Sequence, residues 1–122
     1  MMRLKSNLAQ LCIAATQGNL DEVTAEWDER TCLGVVMASK GYPDSYRKGE
    51  IINLPEEETD SKIFHAGTKL DIHNIVSDGG RVLCATALGR DIKEAQVKAY
   101  SLISKVKWDG GYYRTDIGFK GI

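Results

Sequence analysis

Apolar positions along the chain change period several times, and each change marks an element. Leu4, Leu8, Leu11, Cys12 and Ala15 recur at helical spacing. Residues 3–17 are therefore expected to form an amphipathic helix whose leucine stripe lies on the rest of the domain. Gly18 and Asn19 follow where a left-handed cap belongs. Between Asp21 and Asp28 the pattern is polar, and Trp27 suggests a short strand or a buried anchor. Thr31 to Ala38 is a β-branched, apolar run of strand length, the pattern of a strand covered on both faces. Turn residues from Ser39 to Asp44 end it.

A second group of strand segments comes later. Lys62 to Leu70 contains Ile63, Phe64 and Ala66 and is ended by Gly67 or Asp71; Ile72 to Val76 is its expected hairpin partner. Asp78-Gly79-Gly80 makes a turn, and Arg81 to Leu88 is a buried-type strand stopped by Gly89. The acidic stretch Pro55-Glu56-Glu57-Glu58 is expected as a solvated loop or a single helical turn. Asp91 and Glu94 form a capping-box pattern for a second helix, with Ile92, Ala95, Ala99, Leu102 and Val106 on one face and Tyr100 and Ile103 widening it. Strands gathered between two helices predict an α+β fold: a mainly antiparallel sheet, or a small β-sandwich or barrel, with an N-terminal and a C-terminal helix packed on it.

Composition narrows this picture. The 122 residues suit one domain, 1–122, with a core that needs no disulfide or metal. Sixteen basic against seventeen acidic residues give a net charge of -1. With no aromatic-basic repeat either, nucleic acid is not expected as a partner. No apolar run approaches the ~20 residues that span a bilayer, and no signal-peptide block follows Met1 to Ser6. Neither a membrane nor export is expected. Cys12, Cys32 and Cys84 form no CxxC and are expected as buried free thiols in a reducing cytosol.

Candidate chemistry is sparse. His65 and His73 lie on different expected strands with no acidic or cysteine ligand at a recognisable spacing, so no metal site is expected. No nucleophile elbow, Walker loop or dinucleotide fingerprint occurs, and no catalytic residue is expected in this chain. Two phrases stand out: Phe64-His65-Ala66-Gly67-Thr68-Lys69 and Asp78-Gly79-Gly80-Arg81. If Lys69 and Arg81 end on neighbouring strands, two cations converge with His65, Thr68 and the amides of Gly67 and Gly80. Such a group suits a phosphate monoester, through charge-assisted bonds and the arginine fork. Against this stand a plain hairpin turn and two ordinary surface cations. In the tail, Arg114 and Asp116 are either a binding edge or a pair satisfying one another.

Taken in order, several phrases resemble the phosphoribosylamine–glycine ligase family. They are Leu4-Lys5-Ser6, Gly41-Tyr42-Pro43 with Tyr46 and Gly49, Phe64 to Lys69, Gly79 to Leu83, Thr86 to Gly89, Glu94-Ala95-Gln96 with Ala99-Tyr100, and Tyr113 to Gly118. They cover essentially the whole chain, and they match only the family's C-terminal domain. The resemblance implies a role within an ATP-grasp enzyme that joins glycine to phosphoribosylamine through a glycyl phosphate, in purine biosynthesis in the cytosol. ATP and Mg²⁺ are implied for the full-length enzyme and no cofactor for this chain, because the ATP-grasp and N-terminal domains are its absent partners. By similarity to carboxyaminoimidazole ribonucleotide synthase, Lys69 and Arg81 are implied as 5′-phosphate ligands, with His65 and Thr68 orienting them and Gly67 and Gly80 beside them.

The chain alone is expected to be inactive. Tyr42, Pro43, Arg114 and Asp116 are expected at a domain interface or binding edge. Exposure of Tyr42, Pro43, Tyr112 and Tyr113 in the chain alone would then favour weak self-association. A reading of a different class is a free-standing binding module. Departures from the family pattern are small: Asn7 stands where aspartate is usual, Lys40 where glycine is common, and Asp109-Gly110-Gly111 differs slightly.

Overall fold

A computed structural model describes residues 1–56 and 58–122. Its strands are β1 (Thr31–Ser39), β2 (Ile51–Ile52), β3 (Ser61–His65), β4 (Thr68–Asp71), β5 (Asn74–Ser77), β6 (Arg81–Gly89) and β7 (Gly111–Tyr113). Helix α1 (Leu8–Gln17) precedes them, and α2 (Ile92–Ser104) lies between β6 and β7. A four-stranded sheet has the order β3-β6-β1-β7 and a three-stranded sheet the order β2-β5-β4, with every pairing antiparallel. The fold is α+β, as the alternation of periods predicts.

Register decides what each sheet face carries. Leu33, Val35 and Met37 of β1 stand opposite Ala87, Ala85 and Leu83 of β6, and Ile63 of β3 is the next partner of Ala85. These residues join Ala95, Ala99, Leu102 and Ile103 of α2 in one core cluster. Each large aliphatic side chain so buried stabilises the fold by roughly 1.5–3 kcal/mol before entropy is counted. Small residues let the helix approach closely: a Cβ on Gly89 would overlap the backbone of Ala95. The opposite face of β1 is open, with Gly34 and Val36 exposed. The expectation of a strand covered on both faces is therefore corrected, because α2 covers one side only.

Helix α2 begins as its sequence predicts. The Asp91 carboxylate accepts from the Glu94 amide at 2.8 Å. Glu94 reaches back to the amide of Arg90, also at 2.8 Å, rather than to that of Asp91. Hydrogen bonds from the Arg90 side chain and amide, then from Lys98, lower the Glu94 pKa to about 2.

Helix α1 departs from expectation. It starts at Leu8 because the Asn7 side chain accepts from the amides of Ala9 and Gln10 as an N-cap. Residues 3–6 run instead beside 24–28: Lys5 donates to the Glu26 carbonyl, Asp28 to that of Arg3, and Leu4 bridges Trp27. Trp27 is 54% exposed, so it is a bridge residue and not a buried anchor. Only Ala14 of α1 is buried, and the leucine stripe does not lie on the sheet. Cys12 is exposed while Cys32 and Cys84 are half-buried, all three free, which corrects the expectation of three buried thiols.

The expected strand from Lys62 to Leu70 is broken at Ala66-Gly67. Both amides donate to the Val82 carbonyl at 3.0 Å, and the chain then leaves the four-stranded sheet for the three-stranded one. The β4–β5 hairpin closes through Ile72 and His73, with Ile72 at a φ of 54°. In the acidic stretch, Glu57 lies outside the described residues, and Glu58 is paired with Lys105 at 2.5 Å rather than merely solvated.

Candidate functional site

Two crossings of the chain between its sheets build the site. The chain leaves through Ala66-Gly67 and returns through Asp78-Gly79-Gly80. Since β5 and β6 do not pair, the latter is a passage between sheets and not a hairpin turn. The crossings touch: Gly67 accepts from the Asp78 amide at 2.8 Å. A Cβ on Gly67 would lie 2.7 Å from the Arg81 carbonyl and 3.1 Å from Gly79 Cα. Only a residue without a side chain permits that approach. Ser39, at the end of β1, pins the second crossing, donating from its amide to the Gly80 carbonyl and from its hydroxyl to the Gly79 carbonyl, each at 2.8 Å.

Gly80 lies under Tyr42, where a Cβ would overlap the ring. The Tyr42–Pro43 peptide is cis. Tyr112 on β7 donates its hydroxyl to the Tyr42 carbonyl at 2.9 Å, tying the turn after β1 to the far edge of the sheet. Gly34, Val36 and Ala38 then form an apolar floor between Tyr42 and Tyr112. Together with Arg81 and Arg114 they line a cavity of about 200 Å³ on the uncovered sheet face.

Each expected site residue can now be placed. His65 and Thr68 are brought together, with Nδ1 and Oγ1 2.8 Å apart. Lys69 and Arg81 are not on neighbouring strands, because β4 and β6 belong to different sheets. Each instead stands just past its crossing, Lys69 two residues after Gly67 and Arg81 directly after Gly80. Both side chains are exposed, and among the described residues neither makes an ion pair or side-chain hydrogen bond. The Gly67 amide is committed to Val82, so it is not free to meet an anion as expected; its role is the close approach. Gly80 likewise serves as the seat of the Tyr42 ring.

Tyr42 and Arg114 reach the same cavity as Arg81, while Pro43 is exposed beside it. Arg114 and Asp116 pair in a fork, Nε to Oδ1 at 2.8 Å and a second bond at 2.5 Å. That hydrogen bonding raises the arginine pKa and lowers the aspartate one. Tyr100 holds the tail in place, donating to the Arg114 carbonyl at 2.7 Å and accepting from the Ile117 amide at 2.9 Å. Sequence reasoning missed Ser39, Gly34 and Val36 as parts of the site. Ser39 looks like any turn residue, and the cavity floor looks like core until one face of β1 is known to be open.

Several carboxylates of the chain are paired with its own cations. Arg30 holds Asp28 and Asp60, Arg90 and Lys98 hold Glu94, Lys105 holds Glu58, and Lys48 holds Asp78. The hydrogen bond from the Arg30 side chain lowers the Asp28 pKa well below the usual carboxylate range. Among the described residues no three His, Cys, Asp or Glu side chains are grouped to hold a metal. No helix among the described residues is long and apolar enough to cross a membrane.

As a class, the fold is an α+β domain whose open sheet face sets an apolar floor beside an exposed arginine. The particular kinship is given by comparison: residues 32–120 match the family Phosphoribosylglycinamide synthetase, C domain, and the chain belongs to that family. It is 57% identical over 125 residues to the phosphoribosylamine–glycine ligase of Salmonella typhimurium, covering 100% of this chain and 29% of that protein. The Yersinia pestis ligase is 52% identical over 125 residues with the same coverage. A crystal structure of the ligase from Thermotoga maritima is similar with a TM-score of 0.72 and 37% identity, over 87% of this chain and 27% of that one. The chain thus spans about 29% of the length of the curated relatives it matches.

Proposed function

We propose that residues 1–122 act as the C-terminal domain of a cytosolic ATP-dependent ligase. In that reaction glycine and 5-phosphoribosylamine are joined to give glycinamide ribonucleotide, with ATP converted to ADP and phosphate. In this reading ATP and Mg²⁺ are held by the ATP-grasp and N-terminal domains of the full-length enzyme. The domain described here walls the active site and receives the ribose phosphate.

One observation carries this reading. Arg81 is an unpaired guanidinium mounted on a glycine crossing that Ser39 and Tyr42 hold in place, at the cavity on the uncovered sheet face. A guanidinium fork matches two phosphate oxygens at once, and prior fixing of its backbone reduces the entropy lost on binding. Lys69, carried on the touching crossing, adds a second charge, with His65 and Thr68 at the entrance to its strand. The apolar floor of Gly34, Val36 and Ala38 keeps water from one side of the sugar.

The test is an amide-shift titration of the chain with ribose 5-phosphate, repeated on Arg81→Ala. Shifts are expected at Thr68, Lys69 and Arg81 and should vanish in the variant. The phosphate assignment fails if no shift occurs at millimolar ligand and the aligned arginine substitution in the full-length Salmonella ligase leaves KM for phosphoribosylamine unchanged.

A further inference from the structure

The tail after β7 is held more firmly than its surface position requires. Arg114 and Asp116 form a forked pair whose side chains are 70% and 44% exposed. An ion pair so open to water stabilises a fold by little. Yet Tyr100 and Gln96 of α2 fix the backbone that carries it. The Tyr100 hydroxyl bridges the Arg114 carbonyl and the Ile117 amide, and Gln96 donates to the Ile117 carbonyl at 2.8 Å. Gly118 then turns the chain at a φ of 88°, where a Cβ would overlap the Leu33 side chain. The stability of the pair does not explain this scaffold; a fixed place for its guanidinium does.

That place is a wall of the cavity that Arg81 also lines. The two arginines differ in what surrounds their charge. Arg81 has no acidic partner among the described residues, whereas Asp116 compensates Arg114. A phosphate monoester is therefore drawn to Arg81. Arg114 still has donors to offer, since a guanidinium carries five N–H groups. The fork to Asp116 engages Nε and one Nη2 hydrogen, which leaves Nη1 and the other Nη2 hydrogen free. Each Asp116 oxygen likewise keeps a lone pair. Spare donors beside a spare acceptor complement a sugar hydroxyl, which accepts and donates at once. The cavity holds about 200 Å³, below the roughly 300–1,000 Å³ usual for larger ligands. That size suits a pentose phosphate better than a whole nucleotide.

We propose that Arg114, held by Asp116, binds hydroxyls of the pentose whose 5-phosphate sits on Arg81. The paired and the unpaired arginine then fix the direction of the sugar in the cavity. Arg114 makes the contact, and Asp116 is a positioning residue that also keeps the phosphate from choosing the wrong arginine. This inference rests on the phosphate reading above and adds the part of the ligand that tells ribose from other phosphate monoesters.

The test compares two sugars. Amide-shift titrations of the 122-residue chain should give a dissociation constant about tenfold higher for 2-deoxyribose 5-phosphate than for ribose 5-phosphate, the loss expected for one hydrogen bond to a charged group. Amides at residues 114–117 should shift with ribose 5-phosphate. Arg114→Ala should bring the two constants together, as should Arg114→Lys, which keeps the charge and loses the fork. Arg81→Ala should weaken both sugars alike. Asp116→Asn should reduce the preference and tighten binding of inorganic phosphate, because it releases a second cation. A purely structural tail would move neither readout. Equal constants in the unaltered chain, or a preference that survives Arg114→Ala, would overturn the inference; equal binding that Arg81→Ala abolishes would do so while leaving the phosphate reading in place. Binding of neither sugar would overturn it as well, and the phosphate reading would then be decided by KM in the full-length Salmonella ligase.

Discussion

Helix α2 carries Lys93, Glu94 and Lys98 and buries Ala95, Ala99, Leu102 and Ile103 against β1 and β6. Helix α1 carries no charge at all and buries only Ala14. Both announce themselves by the same helical spacing, and both are capped by a side chain at the first residue before the helix, Asp91 and Asn7. Period and cap therefore specify that a helix forms, but not which surface it will meet. Charge on the face away from the stripe separates the two cases: α2 has a solvent side, whereas α1 has an apolar side that no other described residue covers.

The contrast is open to direct attack. Leu102→Ala empties a site at the centre of the cluster and should lower stability by about 2–5 kcal/mol in urea titration. Ile13→Ala in α1 should stay within about 0.5 kcal/mol, as for an exposed site. Equal losses would erase the distinction. Gly89→Ala forces a Cβ into the start of α2 at Ala95, and overpacking of this sort should remove about 1–3 kcal/mol.

The caps give a smaller effect of the same kind. Asp91→Ala should lower global stability by about 1 kcal/mol because α2 is part of the cooperative core. Asn7→Ala should leave the global midpoint in place and speed exchange in α1 only.

The smallest expected effect depends on pH. Arg90 and Lys98 hold the Glu94 pKa at about 2, below its ordinary 4.5. Its contribution is therefore complete above 4.5 and is lost as pH falls through about 2. Glu94→Gln should flatten the fall in urea midpoint between about pH 4.5 and about pH 2. An unchanged slope would show that the pair does not survive in solution.

Much of the sheet domain was legible in the chain. The runs Thr31–Ala38 and Arg81–Leu88 and the capped stripe from Asp91 are specified by local period and cap chemistry, and they form β1, β6 and α2 almost within those bounds. Non-local facts were not legible. Lys62 to Leu70 has one continuous pattern, yet it divides at Gly67 because the Val82 carbonyl takes two amides there. Nothing in the spacing of Lys69 and Arg81 reveals that their strands lie in different sheets. The glycines were visible as special positions, but not the partner each one admits: Gly79 for Gly67, and the Tyr42 ring for Gly80.

The pairing of Thr31 with Gly89 and of Ala38 with Arg81 also governs how fast the protein can assemble. Every residue of β2 to β5 lies between those partners in the sequence, so β1 and β6 meet only after a long loop has closed. Loop closure of that length places refolding in the millisecond-to-second regime, at roughly the rate of β-rich rather than helical domains. The β4–β5 hairpin is local and faces no such delay. Stopped-flow refolding should thus show Ala85→Gly slowing the main phase, while Val76→Ala chiefly speeds unfolding. The long excursion that builds the cavity also makes this chain a slow folder.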